Sequence, residues 1–265
     1  MEKFDSSKHR DLLEQLPFSY FSTAVQADAS HHIIHKNGED LVVWQDVLYP
    51  NDFPCVFPPH QENNWERCSV TFAEQGFIED VAKKDIKVLV KKPSGTEFFY
   101  TTDSFIVPRG SLKRDIDLFK ESHTHELRHS CESEMVADFY IEWKKQKKRE
   151  GKIFEQAEEF FGFCLSNLDK YKIKQTYVFI KDRLVGFAWG VPHSHGKWVG
   201  LHLKTDYAYN GLSRYLQHLR AVQFKDSKEF SLGTDAHEPG IEEYKRSLHP
   251  SREVPYFYVL TGEKG

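Results

Sequence analysis

At 265 residues, the chain is long enough for one large domain or two domains of ordinary size. Hydrophobic residues make up 39% and aromatic residues 14% of it, which is enough apolar surface to build a core and excludes a disordered chain. The formal net charge of −4 argues against a protein that coats nucleic acid non-specifically, although a local basic patch is compatible with it.

The cysteines and the hydropathy pattern bear on where in the cell the protein is expected. Cys55, Cys68, Cys131 and Cys164 are scattered and form no C-x-x-C pair, which is typical of reduced thiols. The first residues lack the apolar run of a signal peptide. No apolar run reaches the roughly 20 residues that a membrane-spanning helix needs. We therefore expect a cytoplasmic protein with no transmembrane segment.

The first hundred residues predict a mixed α/β pattern. A helix is expected over residues 6–26, with Ser6 or Ser7 as its cap and Pro17 limiting or kinking it. Asn37-Gly38 between two apolar runs predicts a β-hairpin, because both turn residues tolerate a positive φ. The further elements predicted here are an extended segment over 49–59, a helix over 63–76, and strands over 86–90 and 97–100 joined by a turn at 93–95.

The middle of the chain predicts three helices. They cover residues 112–120 after a cap at Ser111, then 131–149 and 153–168, with Gly151 as the break between the last two. The second helix ends in the basic run from Lys144 to Arg149. Cations at a helix C-terminus interact favourably with the helix dipole, which is the ordinary role of such a run. The alternative is a patch that binds a phosphate backbone.

The pattern is clearest from Gln175 to Gly262, where it predicts strand, strand, strand, helix, strand, short helix and strand. This order suits an enzyme that passes an acyl group to an amine. The predicted elements are strands over 176–181, 184–191 and 198–203, a helix over 211–224, a strand over 230–232, a helix from Pro239 to about residue 248, and a strand over 255–260.

Tyr244, one turn into the short helix, is the candidate general acid. In acyl transfer from an ester or thioester the leaving group departs as an anion and needs a proton. A phenol with a pKa near 10 can donate one and be reprotonated from solvent. The alternative is a core aromatic with a bonded hydroxyl. The surrounding Gly240-Ile-Glu-Glu-Tyr-Lys245 favours catalysis.

Residues 170–262 resemble the GNAT superfamily of N-acyltransferases, in which a tyrosine at this position often serves as general acid. Members that use coenzyme A usually carry Arg/Gln-x-x-Gly-x-Gly/Ala before the long helix, because glycines let backbone N–H groups approach the pyrophosphate. The corresponding segment, Asp206 to Leu212, contains a single glycine, Gly211, and lacks the Arg or Gln. This departure argues against coenzyme A.

A narrower resemblance covers most of the chain, which is similar to the family named for the C-terminal part of phosphatidylglycerol lysyltransferase. Characterised members have two GNAT-like halves in tandem and take an aminoacyl group from aminoacyl-tRNA. The matching features are Phe57-Pro58-Pro59 after the hairpin, Lys113-Arg114 in a helix after Tyr100 and Asp103, Tyr209-x-Gly211-Leu212 before the long helix, and Asp235, Gly240, Lys245 and His249-Pro250 near the end.

The resemblance implies an α/β (α+β) fold of two GNAT-like halves, with mixed, mostly antiparallel sheets flanked by helices. Residues 1–108 would form a degenerate half and 109–265 the half that carries the site. It implies aminoacyl-tRNA as co-substrate and no other cofactor. The acceptor would be an amine or hydroxyl of a small molecule, a peptide or a lipid headgroup.

The resemblance also implies roles for single residues. Tyr244 would protonate the leaving oxygen, and Asp235 would hold the α-ammonium of the aminoacyl group or, alternatively, cap the helix that Pro239 begins. Lys245 would neutralise charge on the ester or face solvent. The other predicted substrate-binding residues are Arg109, Lys113 and Arg114, which would contact phosphate or an acidic acceptor, and Tyr209, Asn210, Gly211 and His249.

The histidines raise a metal hypothesis at His31-His32-x-x-His35 and His193-x-His195. Residues i and i+2 of a strand share a face, so the second pair can converge. It lies at a turn with no carboxylate nearby in sequence, however, and we predict no metal site. His195 is a candidate general base for the incoming amine, because its turn would lie at the end of a sheet.

Two alternatives to an aminoacyl-tRNA-dependent transferase stay open on the sequence. One is an N-acyltransferase of the GNAT type that uses an acyl-coenzyme A thioester. The other is a catalytically silent GNAT-like binding module, which the missing glycines favour. The sequence leaves the transferred amino acid, the acceptor and the oligomeric state undetermined.

Overall fold

A computed structural model describes residues 2–30, 33–37, 39–43, 53–146, 152–194, 196–235 and 238–265. The α-helices in chain order are α1 Arg10–Gln15, α2 Ala24–Ala29, α3 Gln75–Lys83, α4 Asp103–Ile106, α5 Gly110–Ser122, α6 Ser133–Gln146, α7 Lys152–Ser166, α8 Leu212–Gln223 and α9 Pro239–Arg246. The strands are β1 Glu2–Lys3, β2 Ile33–Asn37, β3 Glu39–Val43, β4 Phe53–Cys55, β5 Cys68–Ala73, β6 Ile86–Thr101, β7 Glu126–Arg128, β8 Lys174–Ile180, β9 Arg183–His193, β10 Lys197–Thr205, β11 Glu229–Thr234 and β12 Arg252–Lys264.

The chain folds into two compact units, the first formed by residues 1–99 and 232–265 and the second by residues 100–231. Within the described residues, no helix combines the length and the apolar character that crossing a membrane requires.

The first unit is built on the strand order β4-β5-β12-β6. β12 runs antiparallel to both β5 and β6, and β4 runs parallel to β5. Helix α3 packs its apolar side, including Phe77 and Val81, against Val70 of β5 and Val259 of β12. A separate antiparallel sheet contains β1, β2 and β3, with Asn37 paired to Glu39, so the predicted hairpin is confirmed. Its Gly38 lies outside the described residues.

The second unit has the strand order β11-β10-β9-β8-β7. In this order β10 and β11 are parallel, and the other neighbouring strands are antiparallel. Helices α5 and α8 cover one face, where Ile116 and Leu216 pack with Ala188. Trp189 points to the opposite face because side chains alternate along a strand. There Phe161 of α7 stacks on the Trp189 indole with ring centroids 5.3 Å apart. This sheet between two helical layers buries the core of the second unit.

The fold class predicted from the sequence is confirmed: mixed, mostly antiparallel sheets are flanked by helices. The predicted order of the last third, from β8 to β12, is also confirmed element by element. The predicted halves, 1–108 and 109–265, divide the chain differently from the compact units, because β12 pairs with strands of the first unit. The two GNAT-like halves in tandem therefore stay a prediction.

Three local predictions for the N-terminal part are wrong. The helix expected over residues 6–26 is interrupted: α1 ends at Gln15, just before Pro17. A 3₁₀ turn and α2 follow, because Ser19 and Thr23 each cap a new helical start. The helix expected over 63–76 contains strand β5, which pairs with β12. The turn expected at 93–95 lies inside β6, since β12 pairs with this strand on both sides of Pro93.

Candidate active site

Asp235, directly after β11, is a buried carboxylate fixed against β6. It is 6% exposed, and its Oδ1 accepts the main-chain N–H of Thr96 at 3.2 Å. Its own N–H donates to the Thr96 carbonyl, also at 3.2 Å. The bond to Thr96 orients the carboxylate.

Gly95 makes the close approach of this carboxylate possible. Its φ of +109° is one that other residues rarely adopt, and a Cβ atom there would lie 2.9 Å from Asp235 Oδ1. The alternative in which Asp235 caps α9 is wrong. The N-cap residue is Glu238 and Pro239 occupies the first position, so Asp235 is not the cap, and its carboxylate bonds to β6.

Lys245 of α9 is also buried, and its ammonium bonds to the main chain at the end of β11. Nζ donates to the carbonyl oxygens of Leu232, Gly233 and Thr234 at 2.7, 3.0 and 2.5 Å. These bonds match the three donors of an ammonium group. They anchor α9 to the segment that leads into Asp235. The alternative in which Lys245 faces solvent is therefore wrong, and its role in neutralising charge on an ester stays a prediction.

Tyr244 precedes Lys245 on α9 and is half-buried, with its hydroxyl oxygen buried. His249 follows the helix, is exposed, and adopts a left-handed φ of +56°. The structure thus brings four predicted site residues to the α9 region of the first unit: Asp235, Tyr244, Lys245 and His249.

Sequence reasoning missed Glu97, a fully buried carboxylate on β6. Its oxygens accept from the Ser19 hydroxyl and the Tyr20 N–H, both at 2.6 Å. Burial raises the pKa of Tyr256, and the negative charge of Glu97 raises it further. Glu97 lies on the same face of β6 as Gly95, two residues away. The available signal was a charged residue directly before the aromatic run 98–100, in a strand expected to be buried.

The predicted binding residues of the second unit surround the start of α8. Gly211 is the N-cap residue with a φ of +82°, and a Cβ atom there would lie 2.0 Å from the carbonyl oxygen of Asp115. Helix α5 therefore packs its main chain directly against this glycine. The Tyr209 ring meets the His123 ring edge-on at 5.1 Å, and Asn210 is exposed.

The predicted cations lie on the exposed side of α5 or just before it. Lys113 forms an ion pair with Asp117, whose hydrogen bond and charge raise the pKa of Lys113. The Arg114 guanidinium lies 3.7 Å from the Asp115 carboxylate, and the exposed Arg109 is the N-cap residue of α5 in place of the predicted Ser111. Contact of these cations with phosphate stays a prediction.

The histidines of the metal hypothesis are mostly beyond what the structure describes. His31, His32 and His195 lie outside the described residues, so the role of His195 as a general base stays a prediction. Among the residues that are described, no three His, Cys, Asp or Glu side chains are grouped as metal ligands.

No family model and no curated protein matches the sequence. Three solved structures match almost the whole chain. FemX is 8% identical with a TM-score of 0.65, and 98% of this chain and 97% of that chain are covered. L-PGS from Bacillus licheniformis is 12% identical with a TM-score of 0.63 and coverages of 98% and 92%. The C-terminal domain of a putative lysylphosphatidylglycerol synthetase from Agrobacterium fabrum is 10% identical with a TM-score of 0.59 and coverages of 97% and 91%.

At these identities the similarity establishes the fold. The resemblance of the sequence to the phosphatidylglycerol lysyltransferase family predicted this structural similarity, and the prediction is confirmed. The chain shares the fold of FemX and of the lysylphosphatidylglycerol synthetase domain over nearly its full length.

Proposed function

We propose that the protein is an aminoacyltransferase that moves an aminoacyl group from aminoacyl-tRNA to an amine or hydroxyl acceptor. The fold shared with FemX and L-PGS supports a transferase of this kind, and the name lysylphosphatidylglycerol synthetase describes attachment of an amino acid to a lipid headgroup. The donor follows from the family resemblance of the sequence. The acceptor class is a small molecule, a peptide or a lipid headgroup.

The packing beside Gly211 is the observation that favours aminoacyl-tRNA over acyl-coenzyme A as the donor. Coenzyme A needs a glycine-rich loop whose N–H groups are open to its pyrophosphate. Here the segment before α8 has one glycine, and the Asp115 carbonyl of α5 fills the position that a side chain on this glycine would take. The N–H groups of Ala208 and Tyr209 already donate to Asp206. This packing disfavours an acyl-coenzyme A donor at the start of α8.

Asp235 is the group we assign to the aminoacyl donor. Its buried carboxylate is oriented by Thr96 and would accept a charge-assisted hydrogen bond from the α-ammonium. Such a bond sets the position of the ester carbonyl, and positioning of two reactants supplies much of the rate of a transfer. A neutral acyl group lacks this ammonium, so the carboxylate also selects for aminoacyl donors.

Tyr244 is the group we assign to the leaving oxygen. The acceptor nitrogen or oxygen forms a bond to the ester carbonyl carbon, and the bond from that carbon to the ribose oxygen breaks. Once the donor's ribose oxygen reaches the Tyr244 hydroxyl, which is buried in the free protein, the hydroxyl passes its proton to that oxygen. The proton that the acceptor loses then restores the Tyr244 hydroxyl. Lys245 contributes indirectly, because it anchors α9 and hence the position of Tyr244.

Incubation with total charged tRNA tests the proposal, with loss of each amino acid from tRNA and its appearance on added amines as readouts. Tyr244→Phe should lower turnover by about 10²-fold or more, since that is the range for a general acid. Asp235→Asn keeps an oxygen for Thr96 but removes the charge, and should weaken donor use by about 10- to 100-fold. Tyr171→Phe and Asp226→Asn are the matched controls.

Two results would reject parts of this proposal. Full turnover of Tyr244→Phe removes the general-acid role. Consumption of acetyl-coenzyme A, with no amino acid lost from any charged tRNA, rejects the donor. Melting temperatures give an independent check, because a ligand stabilises the fold it binds. Aminoacyl-tRNA should raise the melting temperature, and acetyl-coenzyme A should leave it unchanged.

A further inference from the structure

The sheet of the first unit has two faces with different surroundings. Val259 of β12 packs against α3 in one core, and Tyr256 packs in a separate core with Phe57 and Phe72. Because side chains alternate along a strand, and these two residues of β12 are an odd number of positions apart, the two cores lie on opposite faces. We call the face that carries Tyr256 the Tyr256 face.

The candidate site and a lysine of β6 lie on this Tyr256 face. Residues that pair directly across two strands share a face. Gly95 pairs with Tyr256, and Lys92 pairs with Tyr258, the next residue of β12 on the same face. Asp235 places its Oδ1 2.9 Å from the position of a Cβ atom on Gly95, so its carboxylate also lies on this face. Strand β6 thus leads from the Asp235 carboxylate to Lys92 and Tyr258.

Two exposed lysines of β6, Lys87 and Lys92, lie on the Tyr256 face. Ile86 packs in the core of α3, so the next residue, Lys87, points to the opposite side of the sheet, which is the Tyr256 face. In the described part of the first unit, ion pairs neutralise Lys83 and Lys84 but neither Lys87 nor Lys92. This part of the face therefore holds positive charge, in a chain whose net charge is −4, that a polyanion would neutralise.

The spacing along β6 fits a donor held at Asp235. Lys92 is three residues from Gly95, which is about 10 Å at the rise of a β-strand. The aminoacyl group is esterified to the last ribose of its tRNA. A donor whose ammonium bonds to Asp235 therefore places its terminal base and phosphates over the surface next to this carboxylate. The partly buried ring of Tyr258, paired with Lys92, lies on that surface.

We propose that the Tyr256 face of β6 and β12 binds the single-stranded 3′ end of a tRNA. The Tyr258 ring stacks on an unpaired base, and Lys92 and Lys87 contact the phosphates. A single strand fits better than a duplex, because only a splayed base can stack on a side-chain ring. This inference rests on the proposed aminoacyl-tRNA donor and adds the surface along which its RNA leaves the site.

Binding of two labelled RNA hairpins, measured by fluorescence anisotropy with the full chain, tests this surface. One hairpin carries a single-stranded CCA end and the other is blunt. Lys92→Gln should weaken binding of the CCA hairpin and reduce the slope of log affinity against log salt by about 0.7, because one phosphate contact of a single strand is lost. Tyr258→Ala should weaken binding of the CCA hairpin by about 5-fold or more, the lower range for one stacked base, and leave the blunt hairpin unaffected.

Lys91→Gln is the matched control, because it removes the same charge from the opposite face of the same strand. The Lys91 Nζ donates to Gln75 of α3 at 2.9 Å and lies 4.1 Å from the centroid of the Phe257 ring. This variant should bind both hairpins like the wild type. Tyr258→Phe keeps the ring and should bind the CCA hairpin like the wild type, which separates stacking from the hydroxyl of Tyr258.

Three results would overturn the proposal. The first is an equal loss of affinity in Lys91→Gln and Lys92→Gln, because a general attraction of charge does not distinguish the two faces. The second is a wild type that binds the CCA hairpin and the blunt hairpin equally. The third is a wild type that binds vesicles containing phosphatidylglycerol and neither hairpin, since the lysines would then serve a membrane.

The surface and the enzymatic function fail separately in these experiments. If Lys92→Gln weakens binding of the CCA hairpin and Lys91→Gln does not, but no charged tRNA is consumed, the surface stands and the transferase proposal fails. If charged tRNA is consumed, and Lys92→Gln and Tyr258→Ala keep the wild-type affinity and KM for it, the transferase stands and the surface fails.

Discussion

The carbonyl oxygen of Asp115 on α5 packs so close to Gly211 that a Cβ atom on this glycine would lie 2.0 Å from it. Gly211 also has a φ of +82°. Two independent requirements, the left-handed backbone and the missing side chain, therefore explain this glycine without a bound phosphate. A glycine that the sequence resemblance assigned to substrate binding thus has a packing role in the fold.

Gly211→Ala should destabilise the protein by about 3 kcal/mol or more, because it adds both left-handed strain and a clash with the α5 main chain. The free energy of unfolding, from urea denaturation, measures this. Gly162→Ala is the control. Gly162 lies inside α7 with nothing within 4 Å of a Cβ atom, and the exchange should stabilise the helix by about 0.5–1 kcal/mol. A neutral Gly211→Ala would contradict the packing of α5 on α8.

Lys245→Met should cost about 2–4 kcal/mol of unfolding free energy, because three main-chain carbonyls lose the ammonium that they accept from. The neighbouring Arg246 is the matched control. It pairs with Glu242 and Glu253 on an exposed surface, where solvent screens ion pairs, so Arg246→Met should cost much less than Lys245→Met. If the two substitutions lower the free energy of unfolding equally, Lys245 is not the anchor of α9.

His202 predicts acid destabilisation. Burial lowers the pKa of its imidazole well below 6.5, and the charges of Lys204 and Arg220 lower it further. Its Nε2 is buried, and no described residue hydrogen-bonds to it. Because the unfolded chain takes up this proton and the folded protein does not, stability should fall as the pH drops below about 6.5, by about 1.4 kcal/mol per pH unit. Above that pH, His202 contributes nothing to the pH dependence of the free energy of unfolding.

His202→Phe tests this prediction, because the imidazole already lies among the rings of Phe160, Phe161 and Trp189. The free energy of unfolding should be measured at pH values between about 5 and 7.5. Below about pH 6.5 its slope against pH should be smaller in the variant by up to the contribution of one proton, about 1.4 kcal/mol per pH unit. His60→Phe, at an exposed position, should keep the wild-type slope. An unchanged slope in His202→Phe would show that His202 is protonated in the folded protein.

The candidate site was partly visible in the sequence. Asp235, Tyr244 and Lys245 were identified from a motif, and the structure places all three around α9. Their surroundings were not predictable, because the partners are distant in the chain. Asp235 bonds to Thr96, 139 residues away, and Glu97 bonds to Ser19, 78 residues away. No local pattern encodes such contacts.

The sequence by itself determined the elements whose patterns are local. The order from β8 to β12 follows from strand and helix periodicities and from Pro239 at the start of α9, and the hairpin follows from Asn37-Gly38. Only the tertiary structure decided that residues 86–101 form one strand, because β12 pairs with it on both sides of Pro93. Likewise, the role of Gly211 depends on α5 packing beside it, and a contact of this kind between two helices leaves no periodic signal in either one.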